Sequence, residues 1–379
     1  MLPYDAMLTL LLLAQSVRGD MINASSHLAD WSGRSLFTSD GGGVMFDWLG
    51  VTARVQVTNA TYVGATIATT ANRGTRLKAY ASGQGFMLFP QVQFWVDPRL
   101  TSPYTLWLSP NPESTIITLE NMVAPQYSTG TTSVLTFETD GTFKALPPTA
   151  RLGGATNRRI EFVGDSITAA TNIVRPEGAT HYCGDGGYQS DWSQTYEALL
   201  CHRFGASCST VAVGGKCVMR ECGGLQMPDY YLATMYADAP QATYNFSAGW
   251  VPDAVFIDLG TNDMRAISKL GPSGMTAFAN QTVNFMLGAS ARYGSRDIEF
   301  FLNAGPMENA TMEGTLSAVA QASAAGLRAT FVDMRGACAG ARLHQPDDSD
   351  QCDGCAGHPG IEGHRGMYEA AWPVMARVM

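Results

Sequence analysis

Apolar residues recur at every second position along much of the first part of the chain. Val55 and Val57 alternate with polar neighbours, as do Val92, Phe94 and Val96, then Tyr104, Leu106 and Leu108, then Leu135 and Phe137. A period of two puts one face of each run on a core and predicts strands. Turn-forming residues punctuate the runs at Asp40-Gly-Gly-Gly43, Ser82-Gly83 and Asp140-Gly141. No helical period of useful length is found between residues 20 and 147. Many short strands with Gly, Pro and Asn turns predict a β-sandwich of jelly-roll type over residues 20–147.

The pattern changes after Pro147-Pro148 and Gly153-Gly154, which read as a linker over 148–157. Short segments rich in apolar and β-branched residues at 160–163, 209–213, 254–259, 298–302 and 329–332 predict buried strands. Between them, helical patterns are predicted at Asp191 to Phe204, 274–291, 311–325 and 362–377. In the first of these, Trp192, Tyr196, Leu199 and Leu200 share a face, Asp191 can cap the start, and Gly205 ends it. Alternating strand and helix imply a parallel sheet covered on both faces. Residues 158–379 are therefore expected to form a flavodoxin-like three-layer α/β/α domain.

Candidate chemistry gathers where these strands end. Ile160 to Val163 runs into Gly164-Asp165-Ser166, where the glycine is expected to allow a tight turn at unusual φ/ψ. Val211-Ala-Val213 ends in Gly214-Gly215, so that a backbone N–H can closely approach a ligand. Val255 to Leu259 is followed by Gly260-Thr-Asn262-Asp263, and near the C-terminus stands His358-Pro359. Each block has a structural alternative. Ser166 and Asn262 could cap helices, and His358 could be a loop histidine stiffened by its proline. His364 is the competing base, whereas His27, His181, His202 and His344 lack supporting context.

Serine, glycine, asparagine and histidine in that order resemble the SGNH (GDSL) hydrolases across roughly Arg158 to Met379. The pairing with an N-terminal β-sandwich narrows the likeness to the acetyl-xylan esterases of carbohydrate esterase family two. Asp191-Trp-Ser-Gln-Thr-Tyr-Glu-Ala-Leu-Leu200, Met227-Pro-Asp229 and Trp250-Val-Pro-Asp253 extend it. The resemblance implies an SGNH hydrolase domain behind a jelly roll, without metal or cofactor, that removes acetyl groups from polysaccharide. It implies Ser166 as nucleophile, His358 as base, and an oxyanion hole of the Ser166 N–H, the Gly215 N–H and the Asn262 amide, with Gly214 as the alternative glycine. One position departs from the family. The orienting aspartate usually stands three residues before the histidine, where this chain has Cys355. Asp353 could orient His358 only if the loop bends; otherwise a backbone carbonyl must do so, leaving a Ser-His dyad, as some family-two esterases have.

Composition adds context. With 45% hydrophobic and 15% charged residues the chain is globular, and a net charge of −9 argues against nucleic acid or an anionic membrane as partner. An acetylated carbohydrate is the expected partner, and a monomer the favoured state. Met7 to Ala14 is an apolar run too short to span a bilayer, followed by Val17-Arg18-Gly19, and is expected to be a secretory signal ending near residue 19. Eight cysteines, Cys183, Cys201, Cys208, Cys217, Cys222, Cys338, Cys352 and Cys355, fit disulfides in an oxidising compartment better than a zinc site built on Cys217, Cys222, Cys352 and Cys355. Sequons at Asn23, Asn59, Asn245, Asn280 and Asn309 are candidate glycosylation sites. Two other readings remain: a carbohydrate-binding protein without activity on an esterase fold, and a lipid or short-chain acyl ester hydrolase of the same superfamily.

Overall fold

The computed structural model describes residues 19–72, 74–82, 92–108, 114–176, 189–307, 310–338, 352 and 354–379. The proposed leader up to residue 18, Gly83, His181, Cys183, Asn309, His344 and Asp353 lie outside them.

The first part folds into strands β1 (Met21–Asn23), β2 (Ala29–Ser32), β3 (Leu36–Phe37), β4 (Val44–Phe46), β5 (Thr52–Thr58) and β6 (Tyr62–Thr69). They are followed by β7 (Thr75–Ser82), β8 (Val92–Val96), β9 (Ser102–Leu108), β10 (Thr115–Asn121), β11 (Thr132–Thr139) and β12 (Thr142–Lys144). One antiparallel sheet has the order β3-β4-β11-β6-β9, with β1 also on β11. The other has the order β12-β5-β10-β7-β8, with β2 also on β5. Their inward residues, among them Val55, Val57, Val63, Ile67, Leu77 and Phe137, form a common core. The period of two fails at two bulges. A register shift between Val134 and Thr136 buries Val134 and Phe137 and leaves Leu135 half-buried. Another, opposite β9, buries Leu106 and Trp107 together and leaves Leu108 65% exposed. A bulge adds a residue to one strand and so reverses the faces beyond it.

Parallel strands β13 (Arg159–Gly164), β14 (Ser207–Ala212), β15 (Ala254–Asp258), β16 (Glu299–Ala304) and β17 (Arg328–Asp333) form the second sheet, in the order β14-β13-β15-β16-β17. Helices α1 (Pro125–Ser128), α2 (Tyr196–Phe204), α3 (Met227–Tyr230), α4 (Met264–Leu270), α5 (Gly274–Tyr293), α6 (Met312–Ala324) and α7 (Ile361–Val378) complete the described fold. Phe162 packs with Tyr196 and Met367 on one side of the sheet, and Val163 with Phe278 and Met286 on the other. Both faces are thus covered, and the strand interiors are largely apolar, with Glu161, Ser209, Thr210 and Asn303 among the buried polar exceptions. In this order the chain reverses direction across the sheet at β13, the switch point beside which such folds hold their ligands.

Two local predictions need correction. The helix expected from Asp191 is split. Asp191 caps a 3₁₀ turn, Trp192–Gln194, by accepting from Ser193 N–H. Thr195 then caps α2 anew by accepting from Ala198 N–H. The buried face of α2 includes Glu197, while Leu199 is half-buried. Helix α1, a single turn inside the sandwich sequence, was not expected, because four residues are too few to show a helical period. The linker carries 3₁₀ turns and is tied to the sandwich, with Leu152 N–H donating to Asp30 and Arg54 to Ala150 O.

Candidate active site

Three neighbouring strands deliver the site. Ser166 follows β13, Gly214 and Gly215 follow β14, and Asn262 follows β15, all at the carboxyl edge of the sheet. Gly164 serves a different purpose from the one its sequence suggested. It keeps ordinary strand geometry, but a Cβ there would lie 2.1 Å from Thr168 Oγ1. The glycine therefore admits the next turn of chain against the strand. Asp165 closes that turn by accepting from Ile167 N–H at 3.1 Å. Gly215 does take a left-handed backbone, with φ 75°, and its surroundings are open.

His358 meets Ser166 at this edge of the sheet, its Nε2 2.9 Å from the Ser166 Oγ. Its Nδ1 lies 3.3 Å from the Cys355 carbonyl, which also accepts the His358 backbone N–H at 3.1 Å. The loop is stitched to the loop that follows Ser166, because Cys355 N–H donates to Asn172 O at 3.1 Å. Gly354 is required there, since a Cβ would lie 2.5 Å from His358 O and 2.8 Å from Asn172 O. Burial lowers the pKa of His358, partly offset by the carbonyls of Cys355 and Ala356. The ring is accordingly neutral and a proton acceptor near neutral pH. His364 is not the base. It is fully buried, its Nδ1 accepts from Tyr196 N–H, and burial pushes its pKa down to about 3.

Asn262 is not a helix cap; Asp263 holds that position on α4. Its Nδ2 donates to Asp165 Oδ2 at 2.9 Å and to Lys216 O at 3.2 Å. Asp165 is thus a site residue that the sequence reading passed over, although it stands in the Gly-Asp-Ser block itself. Beneath it Asp258 accepts from Asn303 Nδ2 at 2.8 Å and Thr168 Oγ1 at 3.1 Å. Burial pushes Asp258 up to about 6, and burial together with the Asp258 charge raises Asp165 well above the usual carboxylate range. The loop after Gly215 is held by Asp263, which accepts from Met219 N–H at 2.8 Å and Val218 N–H at 3.3 Å.

Disulfides join Cys201 to Cys208, Cys217 to Cys222 and Cys338 to Cys352, and Cys355 is disulfide-bonded as well. The sulfurs of Cys217, Cys222 and Cys352 are therefore not thiolates for a metal. Asn23, Asn59, Asn245 and Asn280 are all exposed.

The profile of the GDSL-like lipase/acylhydrolase family matches residues 162–365, a span that includes Ser166, Gly215, Asn262 and His358. The chain belongs to this family. As a GDSL-like acylhydrolase it is an ester hydrolase, with the parallel-sheet domain carrying the family's blocks. Solved structures similar over both layers of the molecule include a family two carbohydrate esterase from Cellvibrio japonicus, at 18% identity and TM-score 0.72, covering 95% of this chain and 97% of that one. Another, from Clostridium thermocellum in complex with cellohexaose, is 23% identical with TM-score 0.73, covering 92% and 98%. An acetyl xylan esterase from the rumen bacterium Butyrivibrio proteoclasticus is 14% identical with TM-score 0.74, covering 95% and 98%. At these identities the likeness is one of fold. Curated protein sequences contain no match to the chain.

Proposed function

We propose that this GDSL-like hydrolase is a secreted carbohydrate O-acetyl esterase that works through Ser166 and His358. The observation that carries the chemistry is the 2.9 Å approach of a neutral, carbonyl-oriented imidazole to a hydroxyl at the sheet's switch point. His358 Nε2 takes the Ser166 proton as Oγ attacks the acyl carbon. The tetrahedral oxyanion then forms beside the Ser166 and Gly215 N–H groups. Asn262 contributes through the Nδ2 hydrogen now held by Lys216 O at 3.2 Å, the longer and more easily surrendered of its two bonds. Each such donor is worth about 3 kcal/mol in an acyl-transfer transition state. His358 returns its proton to the departing sugar oxygen, and a water, activated by the same nitrogen, cleaves the acyl-enzyme.

Nδ1–H donated to the Cys355 carbonyl, its partner among the described residues, is enough to fix the tautomer. This supports the dyad reading, in which the imidazolium is stabilised by carbonyl dipoles. Sugar as the alcohol side is supported by the shared two-part architecture, since the carbohydrate esterases above match nearly the whole of both chains. Export is supported by the disulfides and by the apolar run before Gly19.

The test is acetate release from acetylated oligosaccharides, measured beside a panel of short- and long-chain esters, for the wild type and Ser166→Ala. Acetyl esters should be turned over fastest and Ser166→Ala should be inactive. Wild-type turnover by that variant, or octanoyl esters cleaved as fast as acetyl ones, would refute the proposal.

A further inference from the structure

The nucleophile has a neighbour from the N-terminal sandwich. Helix α1 follows β10 and lies against the carboxyl edge of the parallel sheet. Tyr127 Oη is 2.9 Å from Thr171 Oγ1, and Thr171 N–H donates to Ser166 O at 3.0 Å. The residue before Tyr127, Gln126, reaches Gly214. A Cβ built on Gly214 would lie 3.0 Å from Gln126 Nε2 and 3.5 Å from Ser166 Cβ. The carboxamide of Gln126 thus borders the slot that this glycine leaves open, a slot that the Ser166 Cβ borders as well.

The same carboxamide is poorly placed for folding. Both Gln126 Nε2 and Oε1 are buried, and neither has a hydrogen-bond partner. A buried unpaired polar group costs about 1–3 kcal/mol, so an apolar side chain of the same length would hold α1 in place better. A polar wall at this point has another use. An acyl chain attached to Ser166 and extending towards Gly214 meets an amide that blocks it sterically and offers it no apolar contact, which is discrimination by an unfavourable neighbour.

We infer that Gln126, supplied by the N-terminal sandwich, is the residue that limits acyl length at Ser166, admitting acetyl and excluding longer chains. The inference rests on Ser166 being the acylated residue. It also gives the sandwich a direct part in substrate choice.

The experiment compares kcat/KM for acetyl and butyryl esters of one alcohol in the wild type, Gln126→Ala and Gln126→Asn, using variants whose Tm and near-ultraviolet circular dichroism match the wild type. Removing the amide should raise the butyryl-to-acetyl ratio about tenfold or more, the scale of a methylene or two in a pocket. Gln126→Asn, which shortens the side chain by one methylene and is the gentler change at the packed interface, should move the ratio in the same direction by a smaller factor. Ratios within about twofold of wild type in both variants would overturn the inference while leaving the esterase reading intact. Absence of any Ser166-dependent turnover, in contrast, would remove the reading on which it rests.

Discussion

At the scale of single residues the site combines groups whose roles follow from their partners. In the proposed reaction His358 must be neutral to accept the Ser166 proton, and burial lowers its pKa below the ordinary 6.5. A base with a lowered pKa stays deprotonated further into acid. The acid limb of kcat/KM against pH should therefore have its midpoint below 6.5, measured with a soluble acetyl ester whose own reactivity is flat in that range. A midpoint above 6.5 would mean that a negative charge faces the ring. Asp353→Asn addresses the same point: loss on the order of 10⁴ in kcat would identify a triad, and a much smaller loss the dyad. Asp165 makes a second prediction. Its Oδ2 holds the Asn262 amide at 2.9 Å, so Asp165→Ala should free that amide to turn away from the oxyanion. The expected result is a fall in kcat of about 10²–10³ with KM little changed, the cost of one oxyanion donor. Ser166, Gly215 and Asn262 stood out as candidates because strand ends mark where an α/β sheet presents its ligand-facing groups, and His358 because of its His-Pro block. The structure brings the Ser166 hydroxyl and the His358 ring together. The Asp165–Asn262 grip was not legible, since a carboxylate before a nucleophile reads equally well as a turn residue until the amide 97 positions away is seen against it.

At the scale of elements, the strands of the parallel sheet were read to within about two residues because buried strands are short segments rich in apolar and β-branched residues. Alternation marked four of the sandwich strands, β5, β8, β9 and β11, but in β9 and β11 the faces were misassigned beyond the bulges, as alternation carries no sign of an inserted residue. Helix α2 shows the limit most plainly. Its sequence places Glu197 on what became the buried face, fully covered, and burial raises its pKa well above the ordinary 4.5. The folded state therefore keeps the proton where the unfolded chain releases it. Stability from this group is present below pH 4.5 and is lost as pH rises from there towards the raised folded value. Glu197→Gln keeps the shape and removes the titration. Its Tm advantage over wild type should be smallest near pH 4.5 and widen towards neutrality. A difference that stays constant with pH would show that Glu197 is not the group responsible.

At the scale of the whole molecule, the sandwich and the hydrolase layers are joined by buried polar contacts, which a sequence of separate periodicities could not pair. Arg34, between β2 and β3, meets Glu161 on β13 at 3.1 Å, with both side chains fully buried. Its Nη1 also donates to Tyr231 O at 2.6 Å and Ala233 O at 2.8 Å, and its guanidinium lies 3.9 Å from the centre of the Tyr244 ring. Glu161 in turn accepts from Tyr231 Oη at 2.6 Å and Tyr293 Oη at 3.0 Å. Ser32 Oγ donates to Cys208 O at 2.6 Å, Trp48 Nε1 to Thr234 O at 2.9 Å, and Tyr236 N–H to Asp47 at 2.7 Å, so the seam is tied at several points. These groups lose their partners together if either part unfolds, and that should make unfolding cooperative. Calorimetry should give one transition rather than two. Removing the cation leaves the Glu161 carboxylate buried on the strand that carries Ser166, and breaking a buried pair in this way costs about 3–5 kcal/mol. Arg34→Met should accordingly lower Tm by roughly 5 °C or more, as a single shifted transition. If the sandwich instead melts alone in Arg34→Met while the acylhydrolase transition stays in place, the seam is not a shared support. Acyl-length control from Gln126 would then have to survive a loosened sandwich, which the ester panel on the same variant would reveal.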